Sequence, residues 1–428
     1  MWLCIKGGRA VDPARGVDAP LDVLIEEGRV SRLGRDISPP EGARVLDARG
    51  LVVAPGFLDM HVHLREPGQE WKEDIASGTR AAARGGFTAV ACMPNTHPPN
   101  DTSSITERIL KRAREVGAVR VYPIGAVSMG LGGESLSEMG DQREAGAVAF
   151  SDDGFPVRTG QLMRCALEYS RMLDVPIIEH AEDLSLSGGG AMNEGLVSTE
   201  LGLQGMPATS EEVVVGRDIL LAELTGGRLH IAHISTARAV ELVRGAKGRG
   251  VRVSCEVTPH HFTLTEEALR EYNRCAKMSP PLRTEADREA LLEGLRDGTI
   301  EVIASDHAPH HEAEREVEFE ALPFGVVGLE TEVSLALDRL YHGGILTLPE
   351  LIEKFTAGPA RILGVEGGTL EPGGPGDLTL LDLEGEAAVD VRKFASKGRN
   401  SPFHGWRLKG APAAAVVAGK VVWEREDA

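Results

Sequence analysis

The spacing of apolar positions divides the chain into three stretches. Residues 1–55 carry short apolar runs separated by turns, as where the run 21–25 leads into the turn at Gly28, and this pattern is typical of β-hairpins. From residue 56 the short runs alternate with longer segments of helical periodicity, and after Gly364 the hairpin pattern returns. The chain is therefore predicted to hold a central α/β region between two β-rich ends.

The number of apolar runs in the central region indicates its architecture. Candidate helices lie between these runs, the clearest at 71–84, 105–116 and 209–224, and Thr209 with Glu212 has capping-box spacing. Eight alternations of strand and helix over about 300 residues predict a (β/α)8 barrel. The candidate strands are 57–62, 87–92, 119–124, 147–150, 176–178, 229–232, 251–257 and 301–304.

The two β-rich ends flank this barrel, so we expect them to pack together as one small composite β domain. In the C-terminal end, the runs 376–382 and 413–423 are candidate strands. The predicted organisation places the N-terminal part of the β domain at 1–55, the barrel at 56–364 and the C-terminal part of the β domain at 365–428.

Composition and charge argue against three classes of protein: disordered proteins, nucleic-acid-binding proteins and membrane-spanning proteins. The apolar fraction of 42% is enough for a large core and argues against disorder. Acidic residues outnumber basic ones by 65 to 46, and the net charge of −19 argues against nucleic-acid binding, which needs clustered Lys and Arg. No apolar run reaches the roughly 18 residues of a membrane span, so we expect no membrane segment. Because the overall field repels anions, an anionic substrate would need a local cation.

The cysteines and the first residues bear on the compartment. Five cysteines, widely spaced and without a Cys-x-x-Cys pair, indicate free thiols and not a disulfide framework or a thiolate metal site. The apolar run at the start of the chain is interrupted by Gly7, Gly8 and Arg9, unlike that of a signal peptide. Both features predict a cytoplasmic protein.

Residue types that bind metals follow five of the eight candidate strands. The active site of a (β/α)8 barrel lies at the carboxyl ends of its strands. His61 and His63 end the first strand two residues apart, so both imidazoles point to one side and can bind one ion such as zinc. The other four strand ends carry Asp152 and Asp153, His180, His233, and Asp306.

Four imidazoles with one or two carboxylates on a shared face can hold two divalent ions. Asp153 could bridge them, because a carboxylate has two oxygens, although the adjacent Asp152 is an alternative that the residues leave open. His180 and His233 would take the second ion. Asp306 is placed to bind a metal and to accept a proton from the attacking water.

Several motifs in the right order resemble the amidohydrolase superfamily and, within it, the class I dihydroorotases. The resemblance covers nearly the whole chain. Its motifs are GFLDMHVHLREPG at 56–68, MPNT at 93–96, FSDDG at 150–154, TPHHF at 258–262, DHAPH at 306–310, FG at 324–325 and RNSPF at 399–403.

The resemblance implies an enzyme that interconverts N-carbamoyl-L-aspartate and L-dihydroorotate in pyrimidine synthesis, with one or two zinc ions per chain. By motif, His61, His63 and Asp306 match the ligands of the first metal, and Asp306 also matches the group that moves the proton. Asp153 matches an aspartate bridge, whereas many superfamily members use a carboxylated lysine there. His180 and His233 match the ligands of the second metal.

The same resemblance implies a substrate-binding set. Arg65, Asn95 and His310 match residues that hold the substrate carboxylate and ring, and Ser279 stands where the family often has Asn. The resemblance also implies a homo-oligomer, and some class I members associate with aspartate transcarbamoylase.

Two other interpretations compete with this one. Another cyclic amidohydrolase, an allantoinase or a dihydropyrimidinase, would act on a neutral ring and would not need the cation that Arg65 supplies. A non-catalytic barrel that serves as a scaffold for aspartate transcarbamoylase would be expected to lose metal ligands. All the matched ligand positions are filled in this sequence.

Overall fold

The computed structural model describes residues 2–426, in which a parallel barrel carries sheets built from both ends of the chain. The strands before the barrel are β1 (Trp2–Lys6), β2 (Arg9–Asp12), β3 (Val17–Pro20), β4 (Asp22–Glu26), β5 (Arg29–Gly34), β6 (Arg44–Asp47) and β7 (Val52–Pro55). The barrel region comprises β8 (Phe57–Val62), β9 (Phe87–Cys92), β10 (Arg120–Ala126), β11 (Ala149–Ser151), β12 (Pro176–Glu179), β13 (Met192–Asn193), β14 (Gly205–Met206), β15 (Arg228–Ile231), β16 (Val253–Val257) and β17 (Val302–Ile303). After it come β18 (Leu378–Ala388), β19 (Arg407–Val417) and β20 (Lys420–Glu424).

Eight of these strands form the barrel in chain order, while β13 and β14 pair with each other outside it. The first and last barrel strands meet where Val62 pairs with His307 in a parallel bridge. Next to this bridge the His63 amide donates to the His307 carbonyl at 2.9 Å. The closure brings the residues that follow β8 and β17 to the same end of the barrel.

Helices connect the barrel strands, and in six of them the N-cap side chain accepts a hydrogen bond from a backbone amide of the first turn. Among residues 2–426, no helix has the length and apolar character needed to cross a bilayer. The helices are α1 (Ile75–Arg84), α2 (Ser103–Val116), α3 (Met139–Ala145), α4 (Gly160–Leu173), α5 (Leu184–Ser187), α6 (Leu196–Leu201), α7 (Thr209–Thr225), α8 (Ala237–Gly248), α9 (Pro259–Thr263), α10 (Glu285–Arg296), α11 (Glu332–Ala336), α12 (Leu348–Phe355) and α13 (Ala357–Leu363).

The predicted (β/α)8 barrel is confirmed, and all eight candidate strands are present. Strands β8 and β9 coincide with their predicted bounds, and the other six differ from theirs by one or two residues. Apolar runs flanked by polar residues therefore located the barrel strands well, because each strand is buried on both faces.

The starts of three helices can be compared with the sequence prediction. Helix α7 begins at Thr209 as predicted, and α2 begins at Ser103, two residues before its predicted start. Helix α1 begins at Ile75 and not near residue 71, because the Asp74 side chain accepts a hydrogen bond from the Ser77 amide and caps the helix there. The predicted capping box of Thr209 and Glu212 is wrong. Ala208 already has helical φ and ψ and is the N-cap of α7, so Thr209 lies inside the helix, and no side chain caps it.

Both ends of the chain contribute to one sheet, which confirms the composite β domain. Strand β18 pairs antiparallel with β7, so that Leu378 lies opposite Pro55 in a sheet of order β20-β19-β18-β7-β2-β3. A four-stranded sheet of order β5-β4-β1-β6 packs with it through one buried cluster that includes Ile5 and Leu378. The exact boundaries of the three segments stay a prediction.

The candidate strand 413–423 is a hairpin and not one strand. It comprises most of β19 and the start of β20, which are antiparallel and joined at Ala418 and Gly419. These two residues have φ values of 47° and 72°, and a two-residue hairpin turn of type I′ requires positive φ at both central positions.

Candidate active site

One half of the candidate metal site lies at the end of β8. Nε2 of His63 lies 3.1 Å from Oδ1 of Asp306 and 3.4 Å from Oδ2 of Asp153. Nε2 of His61 lies 3.5 Å and 3.4 Å from the same two oxygens. All four side chains are buried. Asp306 reaches His61 and His63 because the closure of the barrel next to His307 joins the segment after β17 to the end of β8.

The other half of the candidate metal site comes from the ends of β12 and β15. Nδ1 of His180 and Nε2 of His233 lie 3.0 Å apart. Both nitrogens face Oδ1 of Asp153, at 3.5 Å and 3.2 Å respectively. Asp153 thus directs one oxygen to His61 and His63 and the other to His180 and His233, as a ligand shared by two ions would.

The neighbouring Asp152 faces elsewhere. Its Oδ1 accepts hydrogen bonds from the amides of Val127 and Ser128, each at 2.9 Å, and its Oδ2 accepts one from the Ser128 hydroxyl at 2.5 Å. These bonds fix the loop that follows β10. The structure therefore places Asp153, and not Asp152, among the histidines.

The donor set fits a divalent metal ion. Ligand atoms of His61, Asp153 and His233 lie within 4.8 Å of one another, as do those of His61, His63 and Asp306. Nε2 of His61 is buried and, among the described residues, has no hydrogen-bond partner. A buried polar atom without a partner costs about 1–3 kcal/mol, and imidazole with carboxylate is a donor set that suits zinc.

The carboxylates and imidazoles of the cluster shift one another's pKa values. Burial raises the pKa of Asp306, but the imidazoles of His63 and His61 outweigh it and hold that pKa at about 2. Burial lowers the pKa of His180, yet hydrogen bonds to Asp153 and Glu182 raise it to about 10. The carboxylates are therefore ionised at neutral pH, and they attract positive charge to this point.

Three residues of this region have an uncommon backbone conformation. The φ values are 60° at Arg65, 30° at His233 and 45° at Asp306. Residues other than glycine rarely adopt positive φ, and such positions concentrate at functional sites. The local strain supports a functional role for the ends of β8, β15 and β17.

A cavity of about 340 Å³ opens beside the cluster, and all four residues of the predicted substrate-binding set line it. Burial lowers the pKa of the Arg65 guanidinium to about 10, and its Nε donates to the Pro309 carbonyl at 3.3 Å. The four residues are Arg65, Asn95, Ser279 and His310.

Two of these residues are themselves held in place. Oδ1 of Asn95 lies 2.8 Å from Nδ1 of His63, so Asn95 also orients a residue of the cluster. Nε2 of His310 donates to the Phe324 carbonyl at 2.8 Å, which ties it to the FG motif. The cavity thus combines the candidate metal ligands with a buried cation and two oriented polar side chains.

Comparison with known proteins places the chain in a family. Residues 50–239 match the family model described as Dihydro-orotase-like. A dihydroorotase from Geobacter metallireducens is 53% identical over 425 residues, which are 99% of this chain and 100% of that protein. A dihydroorotase from Pelotomaculum thermopropionicum is 56% identical over 424 residues, 99% of each protein. The chain belongs to the dihydroorotase family.

Solved structures of related hydrolases share the fold of this dihydroorotase-family chain. An L-hydantoinase (dihydropyrimidinase) from Arthrobacter aurescens superposes with a TM-score of 0.89 at 28% identity, covering 99% of this chain and 96% of that one. A dihydropyrimidinase from Brevibacillus agri has a TM-score of 0.87 at 22% identity, covering 99% and 95%, and this likeness shows the fold alone.

Membership of the dihydroorotase family confirms that the chain is a metal-dependent cyclic amidohydrolase. It also favours dihydroorotase over the alternatives considered from the sequence, since the named dihydroorotases are about twice as similar in sequence as the dihydropyrimidinases. A non-catalytic scaffold is disfavoured for the same reason.

Sequence reasoning missed two acidic residues of this dihydroorotase-family site, Glu182 beside His180 and Glu256 beside His61. Glu256 is fully buried in β16, and its Oε1 lies 2.6 Å from Nδ1 of His61. Its Oε2 lies 3.1 Å from Nε2 of His230, a residue that the sequence did not connect with the site. The sequence did contain a signal for Glu256, which is a charged residue inside the apolar run 251–257. A charge buried in a strand requires a partner, and this requirement indicates a nearby polar cluster.

Proposed function

We propose that this protein catalyses the reversible, metal-dependent cyclisation of N-carbamoyl-L-aspartate to L-dihydroorotate. The observation that carries the proposal is the buried Arg65 guanidinium in the same cavity as Asp306 and the histidine cluster. A guanidinium binds a carboxylate with two parallel hydrogen bonds, and both substrates carry a carboxylate that takes no part in the reaction. The neutral rings of dihydrouracil and allantoin would leave this buried cation without a partner.

The metal in this proposal is zinc, one or two ions per chain. His61, His63 and Asp306 would hold the first ion, His180 and His233 the second, and Asp153 both. A bound ion of this kind lowers the pKa of water to about 7 and polarises a carbonyl group. The convergence of imidazole nitrogens and carboxylate oxygens supports this assignment.

Asp306 is proposed to move the proton. With its pKa at about 2, its carboxylate is ionised at neutral pH and able to accept a proton from the attacking water. As the ring carbon–nitrogen bond breaks, Asp306 returns that proton to the leaving nitrogen. In the cyclisation direction it takes the proton from the ureido nitrogen, and the carboxyl carbon loses water as the ring closes.

Arg65, Asn95, His310 and Ser279 are proposed to hold the substrate. Because the chain has a net charge of −19, its overall field repels anions, and capture must be local. The two strongest acidic influences on Arg65 are Asp306 and Glu314. Each of these carboxylates has another partner, because Asp306 lies 3.1 Å from Nε2 of His63 and Glu314 lies 2.9 Å from the Lys72 ammonium. The charge of Arg65 is therefore available to the substrate carboxylate.

The protein is also proposed to act in the cytoplasm. All five cysteines are free thiols, which fits a reducing compartment such as the cytoplasm. Homo-oligomerisation and an association with aspartate transcarbamoylase stay predictions. Light scattering measures the mass of the protein alone and in a mixture with that enzyme. The mass of a single chain for the protein alone would contradict homo-oligomerisation. A mixture that shows only the masses of the separate proteins would contradict the association.

The test of the proposed function compares three substrates at a known zinc content. Purified protein is stripped with a chelator, reloaded with zinc, and assayed with dihydroorotate, dihydrouracil and allantoin. We expect one or two zinc ions per chain, turnover of dihydroorotate that is lost on stripping, and little turnover of the neutral rings. Preferential hydrolysis of dihydrouracil or allantoin, or zinc-loaded protein without any turnover, would contradict the proposal.

A further inference from the structure

Glu256 occupies a central position beneath the candidate metal site. Its Oε1 lies 2.6 Å from Nδ1 of His61, and the amide of His233 donates to the same oxygen at 3.4 Å. His61 belongs to one half of the metal site and His233 to the other. One fully buried carboxylate therefore touches both halves without lying among the ligand atoms themselves.

The contact with His61 decides which imidazole nitrogen can bind a metal. A carboxylate accepts hydrogen bonds and donates none when ionised, so the short contact places the proton of His61 on Nδ1. Nε2 is then the nitrogen with a free lone pair, and it faces Asp153 and Asp306 at 3.4 Å and 3.5 Å. Ligating histidines commonly gain their tautomer and orientation from a carboxylate in this way.

The second oxygen of Glu256 is fixed from the other side. Nε2 of His230 lies 3.1 Å from Oε2, and Nδ1 of His230 lies 2.8 Å from the Ser254 hydroxyl. His230 is fully buried, three residues before His233 on the same strand and loop. A connected series of hydrogen bonds thus runs from Ser254 through His230 and Glu256 to His61.

We propose that Glu256, held by His230, is a positioning residue that sets the metal-binding form of His61 and links the two halves of the metal site through the His233 backbone. The inference rests on the metal site of the proposed function. It assigns a role to two buried residues that contact neither the substrate cavity nor a metal directly.

The test measures zinc affinity by competition with a chromophoric chelator. Loss of an outer carboxylate partner typically costs about 10–100-fold in metal affinity, and we expect a loss of that size for Glu256→Gln. The matched control is Glu332→Gln, which makes the same change at another fully buried Glu that has no hydrogen bond to the clustered histidines among the described residues. The control is expected to bind zinc as the parent does.

Three further measurements separate a structural effect of the substitution from a loss of positioning. Circular dichroism and the Tm of the zinc-free proteins show whether Glu256→Gln folds. A second variant, His230→Gln, removes only the outer partner of Glu256. It should therefore lose less zinc affinity than Glu256→Gln. In the zinc-loaded parent protein, isotope labelling of histidine nitrogens with NMR reports the tautomer directly, and we expect His61 to be protonated at Nδ1 and not at Nε2.

The outcomes distinguish this inference from the proposed function. If the parent binds no zinc, the metal site itself is wrong. If the parent binds zinc but a folded Glu256→Gln binds it equally well, or Glu332→Gln loses as much, Glu256 does not position His61. In the zinc-loaded parent, a His61 protonated at Nε2 and not at Nδ1 would overturn the inference even if no variant folded.

Discussion

Asp153 and His233 lie 3.2 Å apart, measured from Oδ1 to Nε2, while Oδ2 of the same carboxylate faces His61 and His63. The two oxygens of the Asp153 carboxylate thus contact two different pairs of histidines. The two candidate ion positions are therefore not independent, because each depends on the same side chain.

Replacing Asp153 should therefore affect both ions. We expect Asp153→Asn to lower zinc stoichiometry and to reduce kcat by more than about 100-fold, since even an outer partner of a ligand is worth about 10–100-fold. Metal analysis with a steady-state assay measures both effects.

Asp152→Asn is the control for this change. Because Asp152 binds the amides of Val127 and Ser128 and not the cluster, the variant should keep its zinc. It should instead lose about 1–3 kcal/mol in the free energy of unfolding, as a buried hydrogen-bond acceptor is weakened. The opposite pattern, with zinc lost from Asp152→Asn alone, would show that the bridge is assigned to the wrong residue.

Asp306 should contribute more to turnover than to substrate binding. Positioned acid–base groups contribute about 10²–10⁴-fold to rate, so Asp306→Asn assayed at saturating zinc should lose kcat in that range while KM for dihydroorotate changes little. A variant that loses zinc but regains full kcat when zinc is added would mean that Asp306 is a ligand only.

Ser279 should have a small effect on substrate binding. It lines the cavity, and a neutral hydrogen bond contributes about 0.5–1.5 kcal/mol. We expect Ser279→Ala to raise KM by about 2–10-fold, with zinc content and kcat close to those of the parent. An unchanged KM would remove Ser279 from the substrate-binding set.

The opposite end of the barrel should govern stability and not activity. The rings of Phe57 and Phe355 are buried and stacked with centroids 5.1 Å apart, next to Phe87. Phe355→Ala should cost about 3–5 kcal/mol in the free energy of unfolding, measured by denaturant titration, with zinc affinity unchanged. Trp71→Ala is the control, because Trp71 is 56% exposed and should cost far less.

The barrel and the ends of its strands could be predicted from the sequence, because buried parallel strands leave continuous apolar runs followed by polar residues. The same logic found His61, His63, His180, His233 and Asp306. Their grouping into one site required only that parallel strands end at one edge.

Other features depend on tertiary contacts that leave no local pattern. Asp152 and Asp153 are chemically identical neighbours, and only the amides of the loop after β10 decide which one turns inward. Glu256 lies inside β16 and not after its end, which is where the residues of a barrel active site are expected. The predicted capping box at Thr209 is absent because Ala208 adopts helical dihedrals that its sequence does not signal.

The most direct test of the account is the specificity constant for dihydroorotate of zinc-loaded Arg65→Ala and Arg65→Lys, measured with their zinc content. A hydrogen bond to a charged group contributes about 1.5–3 kcal/mol, so kcat/KM should fall by at least about 10–100-fold in Arg65→Ala. Arg65→Lys should also be strongly impaired, because an ammonium cannot bind a carboxylate in the paired geometry of a guanidinium. Zinc content should match the parent in both variants. Normal hydrolysis of dihydroorotate by zinc-loaded Arg65→Ala would contradict the account.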